Sequence, residues 1–169
     1  NDSYIQKHIN LILKHKLVDV KAIRNAKFKI AVDAVNSTGG IVVPQLLKAL
    51  GVKKVVALYC EPNGKFPHNP EPLPEHLAVI SKAVKKEKCN LGIVVDPDVD
   101  RLALIQEDGK PFGEEYTLVA VADYYLSKQK GNTVSNLSST RAVRDVTEKA
   151  KGQYNAAAVG EVNVVSKMK

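Results

Sequence analysis

Apolar residues change their spacing several times along the chain, and each change marks an element. Ile5, Ile9, Ile12, Leu13 and Leu17 recur at helical spacing with lysines opposite, which predicts a lead-in helix capped by Asp2-Ser3. A second short helix or linker runs through Arg24. Phe28-Lys29-Ile30-Ala31-Val32-Asp33 then alternates and ends as a strand. Asn36-Ser37-Thr38-Gly39-Gly40 opens a helix reaching about Leu50, with Gly51 as its stop and Pro44 near the start, where a missing N–H costs least. Residues 53–59 read as a strand, and 75–88 as an amphipathic helix with Leu77, Ile80 and Val84 inward. The apolar runs Leu91–Val95 and Leu102–Gln106 have the composition of buried strands. Asp108-Gly109 signals a hairpin into a short strand at 110–112, followed by a helix from Glu114 to about Lys128. Beyond Gly131-Asn132 the pattern predicts a strand at 133–137, a helix to Ala150 capped by Ser139, a strand at 153–159 and a final helix at 161–169.

This alternation, with one hairpin in it, predicts a three-layer α/β/α domain with a mixed sheet. The expected division is 1–26 as lead-in helix and linker from a preceding domain, and 27–130 as a metal-binding α/β domain. Residues 131–169 then form the incomplete start of a second, similar domain, too short to bury a core alone. In such sheets ligands collect at the carboxyl ends of strands.

The segment Asp96-Pro97-Asp98-Val99-Asp100-Arg101 stands at such an end, between two apolar runs. In an extended segment, residues at i, i+2 and i+4 point the same way, and Pro97 holds Asp96 in the extended region, so the three carboxylates are expected to converge. Like charges so placed repel unless neutralised, and oxygen ligands favour Mg²⁺, Mn²⁺ or Ca²⁺. The plainer alternative is an Asp-rich turn capping its own backbone. For Asn36 to Gly40 the structural reading is preferred, because its spacing matches no nucleotide-binding loop. Phe66-Pro67-His68-Asn69-Pro70-Glu71-Pro72 is too rich in proline for helix or central strand, and His68 is expected to be a solvent-exposed loop histidine.

Charge and composition narrow the classes. The net charge of +7 resides mostly in helical segments, through Lys7, Lys14, Lys16, Lys21 and Arg24 and again through Lys82, Lys85, Lys86 and Lys88, whereas the aspartate segment is net acidic. Aromatics make up 5% and tryptophan is absent, so no basic run is interleaved with stacking residues and a nucleic-acid partner is not expected. No apolar run approaches the roughly 20 residues that cross a bilayer, so no membrane partner is expected either. Cys60 and Cys89 have no metal-ligand spacing and read as reduced thiols, which with the polar start suggests a cytoplasmic address.

Taken together, these motifs resemble the α-D-phosphohexomutases, the phosphoglucomutase/phosphomannomutase family. Residues 96–101 look like that family's metal loop, 66–72 like its proline-rich loop, 33–40 like the opening of its second domain, and Val159-Gly160-Glu161 like the sugar-loop turn of its third. Val99 stands where the family most often has a small residue. The resemblance covers the end of a first domain, a second domain and the beginning of a third. It implies Mg²⁺ held by Asp96, Asp98 and Asp100, Arg101 orienting phosphate or a sugar hydroxyl, and Gly160 and Glu161 near the sugar. The implied reaction interconverts hexose 1-phosphate and hexose 6-phosphate through a phosphoserine. No Ser-His-Asn-Pro or Gly-Glu-x-Ser-Gly stretch occurs in the chain, so the donor is expected outside it and the chain alone is expected to be inactive. The implied partners are a hexose phosphate and the remaining domains, with a dimer through the C-terminal part left open. Phosphoglucosamine mutase is the alternative within the family.

Outside the family, a non-catalytic metal-binding α/β module and two other classes come into consideration. Asp96, Asp98, Asp100 and Glu107 sit at positions one, three, five and twelve of an EF-hand, but its position six requires glycine and here is Arg101. A dehalogenase-type phosphotransferase would want a threonine soon after the acids, where Arg101-Leu102 stands.

Overall fold

A computed structural model describes residues 2–169 as two compact units, the first ending at Phe112 and the second beginning at Gly113. In the first unit the strands are β1 (Lys29–Asp33), β2 (Lys54–Leu58), β3 (Leu91–Val95) and β4 (Leu102–Gln106), forming one sheet in the order β2-β1-β3-β4. β1 runs parallel to β2 and β3, with Val32 opposite Ala57 and Ile93, while β4 returns antiparallel to β3. The sheet is therefore mixed, as expected.

Two cores lie on opposite faces of this sheet, because successive residues of β1 point opposite ways. Ile30 and Val32 pack with Leu47 and Val43 of α3 (Gly39–Leu50), and Ala31 packs with Ile80 and Val84 of α4 (Ala78–Glu87). Coverage on both faces explains why Leu91–Val95 reads as a continuous apolar run rather than an alternation. Gly51 ends α3 in the left-handed region at φ 88°, and its N–H bonds back to Leu47 and Lys48. Pro44 is the sixth residue of that helix, not one of its first turn, so its missing N–H does interrupt the ladder.

α1 (Asp2–Lys14) and α2 (Val20–Ala26) pack against α3 and lie in the first unit. α1 begins at Asp2, so Asp2 and Ser3, expected to precede it as a cap, are its first two residues, and Leu17 lies beyond the helix end. α2 is capped by Asp19, whose Oδ1 accepts from Ala22 N–H at 2.8 Å. A 3₁₀ turn, Pro74–His76, precedes α4, so 75–88 is not one helix. The strand expected at 110–112 reduces to a single bridge between Ile105 and Pro111, bracketed by Gln106 N–H to Lys110 O at 2.9 Å and Phe112 N–H to Leu104 O at 2.8 Å.

The second unit contains α5 (Glu114–Lys128), β5 (Thr133–Asn136), α6 (Ala142–Lys149), β6 (Tyr154–Ala157) and α7 (Glu161–Met168), with β5 and β6 parallel. This unit includes α5, which packs on α6. Ser139 does not cap α6. Its hydroxyl, like the N–H and hydroxyl of Ser138, is bound by Asn136 Oδ1 in the turn after β5. The buried Thr147 hydroxyl of α6 donates to Val143 O and meets Thr133 Oγ1 at 2.7 Å, so it enters the core with its bonds made.

Candidate metal centre

β1 and β3 are adjacent and parallel, so Asp33 at the end of one and Asp96 just past the other emerge at the same edge of the sheet. From Asp96 the chain makes a turn, and the nearest ligand oxygens of Asp96, Asp98 and Asp100 all lie within 4.8 Å of one another. The carboxylates converge as expected, but by a different route. The segment is not extended; Val99 adopts φ 65° and its N–H bonds back to Asp96 O at 3.3 Å, which folds Asp100 back toward Asp96. Asp96 is buried, whereas Asp98 and Asp100 are exposed. Among the described residues this is the one cluster of three or more acids, histidines or cysteines placed to hold a metal ion.

The electrostatics fit a cation. Burial works to raise the Asp96 carboxyl, but the Arg101 N–H at 3.0 Å and hydrogen bonds with Asp98 and Asp100 outweigh it and hold the group below its ordinary value. Asp100 is pushed the other way, first by its hydrogen bond with Asp96 and then by the charge of Asp98. Opposite shifts on neighbouring carboxylates are what like charges held together produce, and a divalent ion satisfies the same oxygens.

Two neighbouring loops hold this turn in place. Ser37 Oγ and Thr38 Oγ1 both donate to Pro97 O at 2.8 Å, so the turn after β1 supports the aspartate loop directly. A Cβ on Gly39 would come within 2.6 Å of Val95 Cγ2, and one on Gly40 would collide with the Cys60 carbonyl. These glycines serve close packing, in keeping with the structural reading of that turn.

The second loop is the proline-rich one, and His68 there is not a free surface residue. Its side chain is 15% exposed, with Nε2 3.0 Å from Asp33 Oδ2 and Nδ1 2.7 Å from Asn69 O. An imidazolium can make both bonds at once, donating from each nitrogen. The Tyr59 ring meets it edge-on at 5.7 Å. The other oxygen of Asp33 accepts from Val35 N–H at 3.1 Å, so this buried carboxylate, 1% exposed, has a partner for each oxygen. Farther along the loop, Glu71 Oε1 lies 2.6 Å from Arg101 Nη1, and the Arg101 Nε is 4.0 Å from Asp100. Neither Asp33–His68 nor Glu71–Arg101 was apparent from spacing, because each joins residues about 30 or more positions apart. Gly160 and Glu161 lie in the second unit, immediately before α7 and at its first residue, both exposed.

Fold and site together define an α/β protein with a cluster of three carboxylates, placed to hold a metal ion, at the carboxyl edge of its sheet, flanked by strands rather than the helices of an EF-hand. The phosphoglucomutase/phosphomannomutase α/β/α domain II matches residues 2–109, and domain III of the same family matches 113–169. The chain belongs to the phosphoglucomutase/phosphomannomutase family. It is 30% identical over 168 residues to a protein of Methanopyrus kandleri named a probable phosphoglucosamine mutase, covering 98% of this chain and 36% of that one. It is 32% identical over 149 residues to a phosphoglucomutase/phosphomannomutase of Thermococcus kodakarensis, covering 87% and 32%. A crystal structure of a family protein from Burkholderia thailandensis superposes with a TM-score of 0.81 at 26% identity, covering 97% of this chain and 35% of that one. The chain thus spans about a third of the length of the relatives it matches. Among the described residues no helix is long and apolar enough to cross a membrane.

Proposed function

We propose that this chain supplies the metal-binding part of a cytoplasmic phosphohexomutase, which interconverts hexose 1-phosphate and hexose 6-phosphate by phosphoryl transfer. The observation that carries the reading is the convergence of Asp96, Asp98 and Asp100 beside Arg101 at the carboxyl edge of the sheet. Asp96, Asp98 and Asp100 would hold Mg²⁺. When bound, that ion supplies positive charge against the phosphoryl group in transfer. The chain's own contribution is to bring three carboxylates together on a turn braced from two sides. Arg101, permanently charged and fork-shaped, orients a phosphoryl oxygen or sugar hydroxyl next to them. Gly160 and Glu161 contact the sugar, and the phosphoserine donor comes from sequence outside these 169 residues.

A longer parent protein carrying this segment is expected to turn over glucose 1-phosphate or mannose 1-phosphate with Mg²⁺, and Asp98→Asn to lower that turnover at least about 100-fold, the range lost with a main electrostatic contributor. The chain alone is expected to show none. Turnover by the purified chain, or an unimpaired Asp98→Asn parent, contradicts the proposal. Glucosamine phosphate is a second reading of the substrate, favoured by the name of the Methanopyrus relative. Assay of the parent on the three sugar phosphates side by side decides among them.

A further inference from the structure

Side-chain bonds join the three loops at this edge of the first unit into a closed circuit. The turn after β1 holds the beginning of the proline-rich loop, with Asn36 Nδ2 donating to Lys65 O and Gly64 N–H to Asn36 O, both at 3.0 Å. Asp33 holds the same loop deeper in, through His68 Nε2 at 3.0 Å, and His68 Nδ1 in turn engages Asn69 O. Asn69 Oδ1 accepts from Glu71 N–H at 3.0 Å. Glu71 reaches Arg101, whose N–H binds Asp96, and Pro97 O returns to Ser37 and Thr38 beside the starting point.

An ion pair between two half-exposed side chains is ordinarily weak, because ordering both costs about what the attraction gains. Glu71 differs from that ordinary case. Pro72 after it restricts its backbone to the extended region, its N–H is held by Asn69, and the loop behind it is pinned to the buried Asp33. A carboxylate fixed in advance can impose an orientation on its partner. It takes one Nη1 donor at 2.6 Å, which leaves the guanidinium with donors for a phosphoryl group.

We propose that Glu71 is a positioning residue for Arg101, and that the His68–Asp33 pair sets where Glu71 stands. What Arg101 does toward a phosphate rests on the function proposed above; that Glu71 orients it does not.

The test reads the Arg101 Nε–Hε signal of the ¹⁵N-labelled chain, identified by its disappearance in Arg101→Lys, without metal or substrate. Glu71→Ala is expected to speed solvent exchange of that proton about five-fold and move the signal to the position of a free arginine, while Glu71→Gln, which keeps an acceptor, retains part of the protection. His68→Gln touches neither Glu71 nor Arg101, yet is expected to cause the same loss while the backbone amide spectrum stays that of the folded chain. Should His68→Gln unfold the chain, Asn69→Ala, at an exposed position, removes instead the side-chain oxygen that holds the Glu71 N–H, the last link between that pair and Glu71. An unchanged Arg101 signal in Glu71→Ala overturns the proposal. So does a response to Glu71→Ala with none to His68→Gln or Asn69→Ala. A chain that shows these effects but binds no Mn²⁺ removes the proposed function and leaves the positioning role standing.

Discussion

Val99 holds φ 65° with a β-branched side chain, in a region where a Cβ crowds the backbone at a cost of about 1–2 kcal/mol. The family most often has a small residue at this position. The backbone gives the departure a cost that side-chain reasoning does not see. Val99→Gly is expected to stabilise the chain by at most about 1 kcal/mol in urea unfolding, because Val99 is 39% exposed and loses little packing, while the freer unfolded chain of glycine offsets part of the relieved strain. Destabilisation would mean that the Val99 contact with the Gly39 region outweighs the strain. Nearby, burial first and the Asp33 charge second push the Cys60 thiol up to about 11 from an ordinary 9.0. Its thiolate fraction at pH 8 is then about 100-fold below that of an ordinary thiol, and alkylation by iodoacetamide should be slower by about that factor. The sign for stability follows: the unfolded thiol ionises first, so stability from this group is present below pH 9 and lost as pH rises toward 11. Alkylation at the rate of a free thiol would contradict the burial of Cys60.

At the scale of elements, the strands and the helices on the sheet were legible because their apolar periods differ, and Leu77, Ile80 and Val84 are buried as their spacing implied. The errors lie where period carries no information. α5 exposes Tyr116, Leu118 and Val121 yet buries Leu126, so its pattern does not tell which unit it joins. The strand that the hairpin signal invited shrinks to one bridge at Pro111. The support of the aspartate turn by the turn after β1 was invisible for the same reason, since Ser37 and Pro97 are 60 positions apart. That support makes a prediction at this scale. Gly40→Ala drives a methyl into the Cys60 carbonyl, where backbone faces backbone, and should cost about 1–3 kcal/mol of stability in denaturant unfolding. A neutral substitution would show that the two loops move apart freely, and that the bracing of the aspartate turn is slack.

Over the whole molecule, the mixed three-layer sheet and the three aspartates could be read from the sequence, whereas the two pairs that order Arg101's surroundings could not. The loop Asp96 to Arg101 is local in sequence, so its chemistry survives in the spelling of six residues; Asp33–His68 and Glu71–Arg101 are products of β1 and β3 lying side by side. The central claim is that this local acidic loop is a divalent-cation site supplied to a phosphohexomutase. The most direct measurement is an Mn²⁺ titration of the chain followed by electron paramagnetic resonance, with Asp98→Asn and Asp100→Asn alongside. One Mn²⁺ per chain is expected, bound less tightly by at least about 10-fold in either variant and also weakened as pH falls, because protons occupy the same oxygens. No saturable binding in the wild type, or binding that both variants leave unchanged, would contradict the account.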